Sequence, residues 1–233
     1  MEENIMDLNM KDSIEKLYKS GIINDQKKAE FLQRVSNEKD EKEIENVLNE
    51  ITQLLKNHVS GIEEQKNELK DDNHYLNAPP VSEKLNVILW LTPEQLSGLG
   101  SGFTTQRKIV TLTIGTTDYE ITQEEYALAK SFEKIVDKAI EAGNNAIKEK
   151  SKDKMEESIR YYKQALELAP GHDMILANIG LSYMKLIEYG VNRIELSKRY
   201  LTRAGQVSYN KKRLKRFLEQ YLDPKYFDLT YLE

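Results

Sequence analysis

The sequence predicts a mainly α fold in three parts: an N-terminal helical module, a small antiparallel β insertion and a C-terminal helical array. Three observations carry this. Apolar residues recur at spacings of three, four and seven between Ile14 and Leu69 and again from Tyr126 onward, the period of amphipathic helices. Between those regions, Ile109 to Ile114 alternates apolar residues with threonine, the period of a half-buried strand. The turn-forming stretch 71–80 ends in the diproline Pro79-Pro80, which no helix continues through. At 233 residues, with 39% hydrophobic and 31% charged, the chain can build one large or two small helix-rich domains. The expected divisions are a helical hairpin or three-helix module over 1–72, a linker over 73–80, the β insertion over 81–121, the array over 122–222 and a tail over 223–233.

Within the first module, Ile14, Leu17 and Tyr18 mark one short helix, with Gly21 placed as its C′ glycine. Asn24 or Asp25 caps a second, whose apolar residues include Ala29, Phe31, Leu32 and Val35. A longer third helix opens at Asp40 with Glu43 three residues on. Ile44, Leu48, Ile51, Leu55, Ile62 and Leu69 form one stripe along it, with Val47 and Leu54 beside them and His58 on the seam. Two readings stay open here. Either the stripe is buried in a three-helix packing, or Ile14, Leu17, Tyr18, Phe31 and Leu32 belong to a helical hairpin or coiled-coil seam offered to a partner.

In the insertion, Leu85 to Leu91 reads as a β-favouring run. Thr92, Pro93 and Gln95 read as N-cap, N1 proline and capping-box partner of a brief helix ended by Gly98. With Ile109–Ile114, a turn at Gly115–Asp118 and a return through Tyr119–Ile121, the expected sheet has about three strands. Thr122 with Glu125 then caps the first array helix, and further helices are expected near 153–168, 173–187, 193–206 and 210–221.

The array carries a repeat. Ser158, Tyr162 and Ala165, followed by Pro170, resemble the second helix and closing proline of a tetratricopeptide repeat, and Leu176, Ile179, Gly180 and Tyr183 resemble the first helix of the next. Ser197, Leu201 and Ala204 match more loosely, and helix 210–221 takes the place of a capping helix. Upstream, Ala142 and Ala146 are retained, but Glu149 stands where the pattern expects tyrosine. The resemblance, from about Gln123 to Leu222, implies a groove lined by Met174, Ala177, Leu181, Met184 and Lys185. That set is mostly apolar, suiting a helical ligand or the chain's own N-terminal helices; only Lys185 fits a carboxylate clamp. The same residues read equally as core beneath another segment.

Several chemistries lack their residues. Without cysteine there are no disulfides, zinc–thiolate sites or thiol nucleophiles. His58, His74 and His172 lie in separate segments, and no phosphate loop, dinucleotide fingerprint or nucleophile elbow occurs. Gly98, Gly100 and Gly102 are in the wrong order for a phosphate cradle. No enzyme, cofactor or metal is therefore expected. No run approaches a membrane span, and the acidic start Met1-Glu2-Glu3-Asn4 is unlike a secretory signal. Cytoplasmic is the default, with export open if a signal was removed ahead of Met1. The Lys, Asn and Ile bias suggests an AT-rich bacterial genome.

One charge segregation stands out in a chain of net charge −5. No acid lies between Glu195 and Glu219, where Lys198, Arg199, Arg203, Lys211, Lys212, Arg213, Lys215 and Arg216 fall. The sequence points first to a non-catalytic scaffold that binds another protein, with a homodimer through the long N-terminal helix as a further arrangement. Nucleic acid or an anionic surface, met by Lys198, Arg199, Arg203, Lys212, Arg213 and Arg216, is the runner-up.

Overall fold

The computed structural model describes residues 5–19, 22–37 and 41–222, without the side chains of 5–9, 36, 37, 41, 43 and 58. Gly21, the Asp40–Glu43 capping pair, the side chain of His58 and the tail 223–233 lie outside the described residues. The fold is mainly α with one small sheet, and it divides into two compact units, Met1–Lys66 and Asn67–Glu233.

In the first unit, helices α1 (Ile5–Lys19) and α2 (Asp25–Asn37) pack with α3 (Glu41–Asp71), which continues to the second unit. Asn24 starts α2 as expected, its Oδ1 accepting the Lys27 N–H at 2.9 Å. The core is Met10, Ile14, Leu17, Ile23, Phe31, Val35, Val47 and Ile51, with Tyr18, Leu32, Ile44 and Leu54 against it. Arg34 clamps the Glu50 carboxylate at 2.7 Å and holds its carboxyl below the usual range.

The second unit opens with the end of α3. The stretch 73–80, expected to be a linker, is packed. Residues Asn73–Asn77 form a single turn, α4, whose Tyr75 is buried in the main core together with Val81. An apolar ring four residues before the diproline anchors what composition alone marks as loop.

Helix α5 (Glu83–Leu89) stands where a strand was expected over Leu85–Leu91. Ser82 caps it, its hydroxyl accepting the Leu85 N–H at 3.2 Å, and one turn then carries Leu85, Ile88 and Leu89 inward. A continuous apolar run has no period to separate strand from buried helix, and here the cap decides. Helix α6 (Pro93–Ser101) has the expected Thr92–Gln95 capping box but runs past Gly98, because Leu96 and Leu99 both reach the core on the helical period.

The sheet consequently has two strands, β1 (Ile109–Ile114) and β2 (Thr117–Thr122), antiparallel, with Val110 opposite Ile121 and Ile114 opposite Thr117. Two residues, Gly115 and Thr116, make the turn, so Thr117 and Asp118 belong to the strand rather than to the connection. Ile88, Leu96, Leu99, Ile121 and Ala129 form a local core under this hairpin.

The array comprises α7 (Gln123–Glu149), α8 (Lys152–Leu168), α9 (Asp173–Glu188), α10 (Ile194–Val207) and α11 (Lys211–Leu218). Thr122 and Glu125 form the capping box anticipated for α7. The pairs α7–α8 and α9–α10 use one device twice. Ser158 Oγ donates to Ala139 O at 2.7 Å, and Ser197 Oγ donates to Gly180 O at 2.8 Å; both serines are buried. Tyr162 and Ala165, then Leu201 and Ala204, follow each serine at the same spacing and are equally buried. Gly180 permits the second approach, since a Cβ there would lie 2.6 Å from Leu201 Cγ. Gly171 does two jobs between the pairs: its φ is +76°, and a Cβ there would collide with Pro79 O.

Candidate functional site

Three surfaces were expected to bind, and burial sorts them. In the groove set, Met174 and Ala177 are buried core, while Leu181, Met184 and Lys185 are half-buried. Leu181 and Met184 pack against the array core, as do Leu69, Leu76, Leu85, Leu89 and Trp90 from the segment preceding the sheet. The array core is thus shared with the chain's own residues 69–90, and Met174 and Ala177 have no face left for a partner.

That segment is also pinned by polar contacts. Asp72, buried, pairs with Lys163 of α8 at 2.8 Å; Glu68 meets Arg193 Nε at 3.0 Å and accepts from Tyr183 OH at 3.5 Å. Tyr75 OH donates to Glu167, and Arg203 Nη2 donates to Ala78 O at 2.7 Å. Burial raises the carboxyl of Glu68 against the opposing pull of Arg193 and Lys163. Burial likewise pushes the Tyr183 and Tyr200 hydroxyls upward, helped respectively by the neighbouring Glu68 and Asp72 carboxylates. These groups knit one fold; an open depression along α7 is lined by that helix's own side chains, from Lys130 to Glu141.

His172 is wholly enclosed. Its ring stacks at a tilt on Phe132 (5.1 Å) and Trp90 (5.8 Å), and Asp173 Oδ1 lies 3.9 Å from Nδ1. Neither ring nitrogen has a hydrogen-bond partner among the described residues. Burial pushes its pKa down to about 4, against the Asp173 carboxylate. The Arg213 guanidinium lies over the Trp90 indole, 3.7 Å from the ring centroid.

The expected N-terminal binding residues are mostly core. Ile14, Leu17 and Phe31 are buried within the first unit, and Tyr18 and Leu32 pack against them. The three-helix reading therefore holds for these five. The stripe on α3, however, splits in two. Val47 and Ile51 turn inward, while Leu48 (41% exposed), Leu55 (42%), Val59 (55%) and Ile62 (37%) face solvent. At about 100° per residue these four lie within roughly 60° of arc, so they form one apolar face and not scattered single contacts. Val59 was missed in the sequence because it lies off the seven-residue spacing, yet it stands four residues after Leu55 and three before Ile62, which places it on the same face.

The basic face is partly committed. Arg203 is fixed by Ala78 O and Gln206, and Lys198 lies 3.7 Å from Glu195. Lys211, Lys212, Arg213 and Arg216 of α11 are exposed and form no ion pair among the described residues, as is also true of Arg199 on α10. Tyr209 (54% exposed) and Tyr221 (64%) flank α11.

Among the described residues no three His, Asp or Glu side chains are grouped to hold a metal, and no helix is long and apolar enough to cross a membrane. No family model, curated protein or solved structure matches the chain.

Proposed function

We propose that this protein is a non-catalytic interaction scaffold whose protein-docking face is the exposed apolar arc of α3. One observation carries the reading: Leu48, Leu55, Val59 and Ile62 are held in solvent on one face of a helix whose adjoining face is already packed. Helix faces of this kind bind another helix through anchors at i, i+4 and i+7. We further place the array with the tetratricopeptide repeats. The support is the twice-used serine contact, Ser158 to Ala139 and Ser197 to Gly180, with a large buried residue (Tyr162, Leu201) and then an alanine (Ala165, Ala204) following at the same spacing. The first-helix surface is engaged by the chain itself, which moves the expected docking site from the groove to α3.

The test is a photo-crosslinker, benzophenone-alanine, placed at Val59 in the full chain and irradiated in cells, with exposed Glu141 on α7 as the control position. A protein recovered from position 59 and absent from position 141 supports the reading, whichever protein it is. Equal recovery from both positions removes it.

A second reading has its own observation. Helix α11 places Lys211, Lys212 and Arg213 in its first turn with no acid among them, opposing the helix dipole. Lys212 and Arg216 also stand four residues apart, a like-charge pair on one face. An anionic surface would relieve both conflicts, and the flanking tyrosines suit a single-stranded polyanion.

A further inference from the structure

We propose that the occupant of the α3 face is a second copy of this chain, paired antiparallel about a two-fold axis beside Leu55. The inference rests on the reading of α3 as a docking face and names its partner.

The spacing is self-complementary. Leu48 and Ile62 lie seven residues either side of Leu55. An antiparallel pair centred there lays Leu48 of one copy on Ile62 of the other at both ends, with Leu55 on Leu55 between them. The contact closes on itself, as a two-fold dimer requires.

The charges at the two ends of the arc favour this direction. Exposed Glu45 precedes the apolar arc and exposed Lys66 follows it. Antiparallel pairing brings Glu45 of each copy beside Lys66 of the other. Parallel pairing sets Glu45 beside Glu45 and Lys66 beside Lys66, and like charges across a helical seam oppose association.

The face is also dressed for burial. Thr52, at the edge of the arc, already spends its hydroxyl on Leu48 O at 2.8 Å, so covering it orphans no donor. Exposed Lys56 and Glu63 line one edge as a charged rim; next to the axis, Lys56 faces Lys56 of the other copy, a rim repulsion that salt screens. The arc spans only two heptads, which makes the pairing concentration-dependent and not obligate.

The chain contains no cysteine, so single cysteines introduced into the full-length protein report pairing directly. Leu48→Cys, Leu55→Cys and Ile62→Cys replace exposed side chains and leave the core intact. The expected result has three parts. Leu55→Cys forms a disulfide with itself under mild oxidation. Leu48→Cys and Ile62→Cys form one when mixed, on the order of tenfold faster than either alone, because only the mixed pair meets. Light scattering at about 100 µM reports a doubled mass that Leu55→Lys returns to monomer. Glu45→Lys alone weakens the dimer, and adding Lys66→Glu restores it.

Self-disulfides of Leu48→Cys and of Ile62→Cys, with no mixed product, indicate a parallel pair and overturn the proposal. A monomer at every concentration, without cross-links, also overturns it. In that case a different protein captured by the benzophenone at position 59 leaves α3 a docking face for that protein. Monomer and no capture together remove both the second copy and the docking face.

Discussion

At position 172 a neutral imidazole lies fully inside the second unit, against the rings of Phe132 and Trp90, where the cost of burying a proton's charge exceeds what the Asp173 carboxylate returns. Its folded pKa, about 4, lies below the value near 6.5 of the unfolded chain. A depressed base binds its proton more readily in the unfolded state. The associated stability is therefore complete above about pH 6.5 and lost as pH falls toward 4, by about 3 kcal/mol in all. The Asp173 carboxylate and the Arg213 guanidinium act in opposite directions on that proton. Urea denaturation at pH 7, 6, 5 and 4 checks this: the wild type loses stability over that range, and His172→Leu removes about 3 kcal/mol of the loss. Equal pH slopes in the two proteins would mean that the imidazole titrates freely. The sequence offered His172 only as a solitary histidine after Pro170-Gly171. Its enclosure depends on Trp90 and Phe132, each tens of residues away, and no local pattern encodes that meeting.

Helix α5 and helix α11 illustrate what a single element reveals about itself. The strand expected at Leu85–Leu91 failed because an unbroken apolar run contains no period, and Ser82, the residue that settles it, precedes the run. Elements with both a period and a cap, such as α7 behind Thr122 and Glu125, were legible to within a residue or two. Helix α11 was legible too, and so was its conflict. Leu214 and Leu218 bury one side while cations crowd the positive end of the dipole. Its charges therefore reduce the stability of the helix they occupy. Lys212→Glu supplies an acid to the first turn and removes a repulsion with Arg216, so it raises the thermal midpoint slightly. The same change weakens binding to a labelled single-stranded oligonucleotide and reduces the salt slope by about one. Fluorescence anisotropy at two salt concentrations, beside a thermal melt, measures both. A lower midpoint with unchanged binding would sink the polyanion reading and leave α11 as a cap alone.

For the molecule as a whole, the stripe on α3 was legible as a pattern but its division was not. Spacing places Ile51 and Leu55 on one seam, yet α1 and α2 cover Ile51 and leave Leu55 in water. Which half of a stripe is covered depends on helices elsewhere in the chain. The two units also differ in how much they bury. Among the described residues the first closes over eight side chains, and the second over the long array core and the cluster under the hairpin. Small cores are marginal, so amides of α1 and α2 are expected to exchange through an opening of lower free energy than those of α8–α10. Phe31, fully buried, is central to the smaller core, and Phe31→Ala costs that unit about 3 kcal/mol or more. Hydrogen exchange read by mass spectrometry should then show protection lost in α1 and α2 while α8–α10 keep theirs. Dimerisation through α3 adds a second signature, because a contact made only by the folded unit stabilises it by mass action. Protection of α1 and α2 in the wild type should therefore rise with protein concentration, and Leu55→Lys should remove that dependence without touching α8–α10. An equal fall across all helices in Phe31→Ala would instead show a single cooperative body, in which the first unit has no stability of its own for docking to modulate.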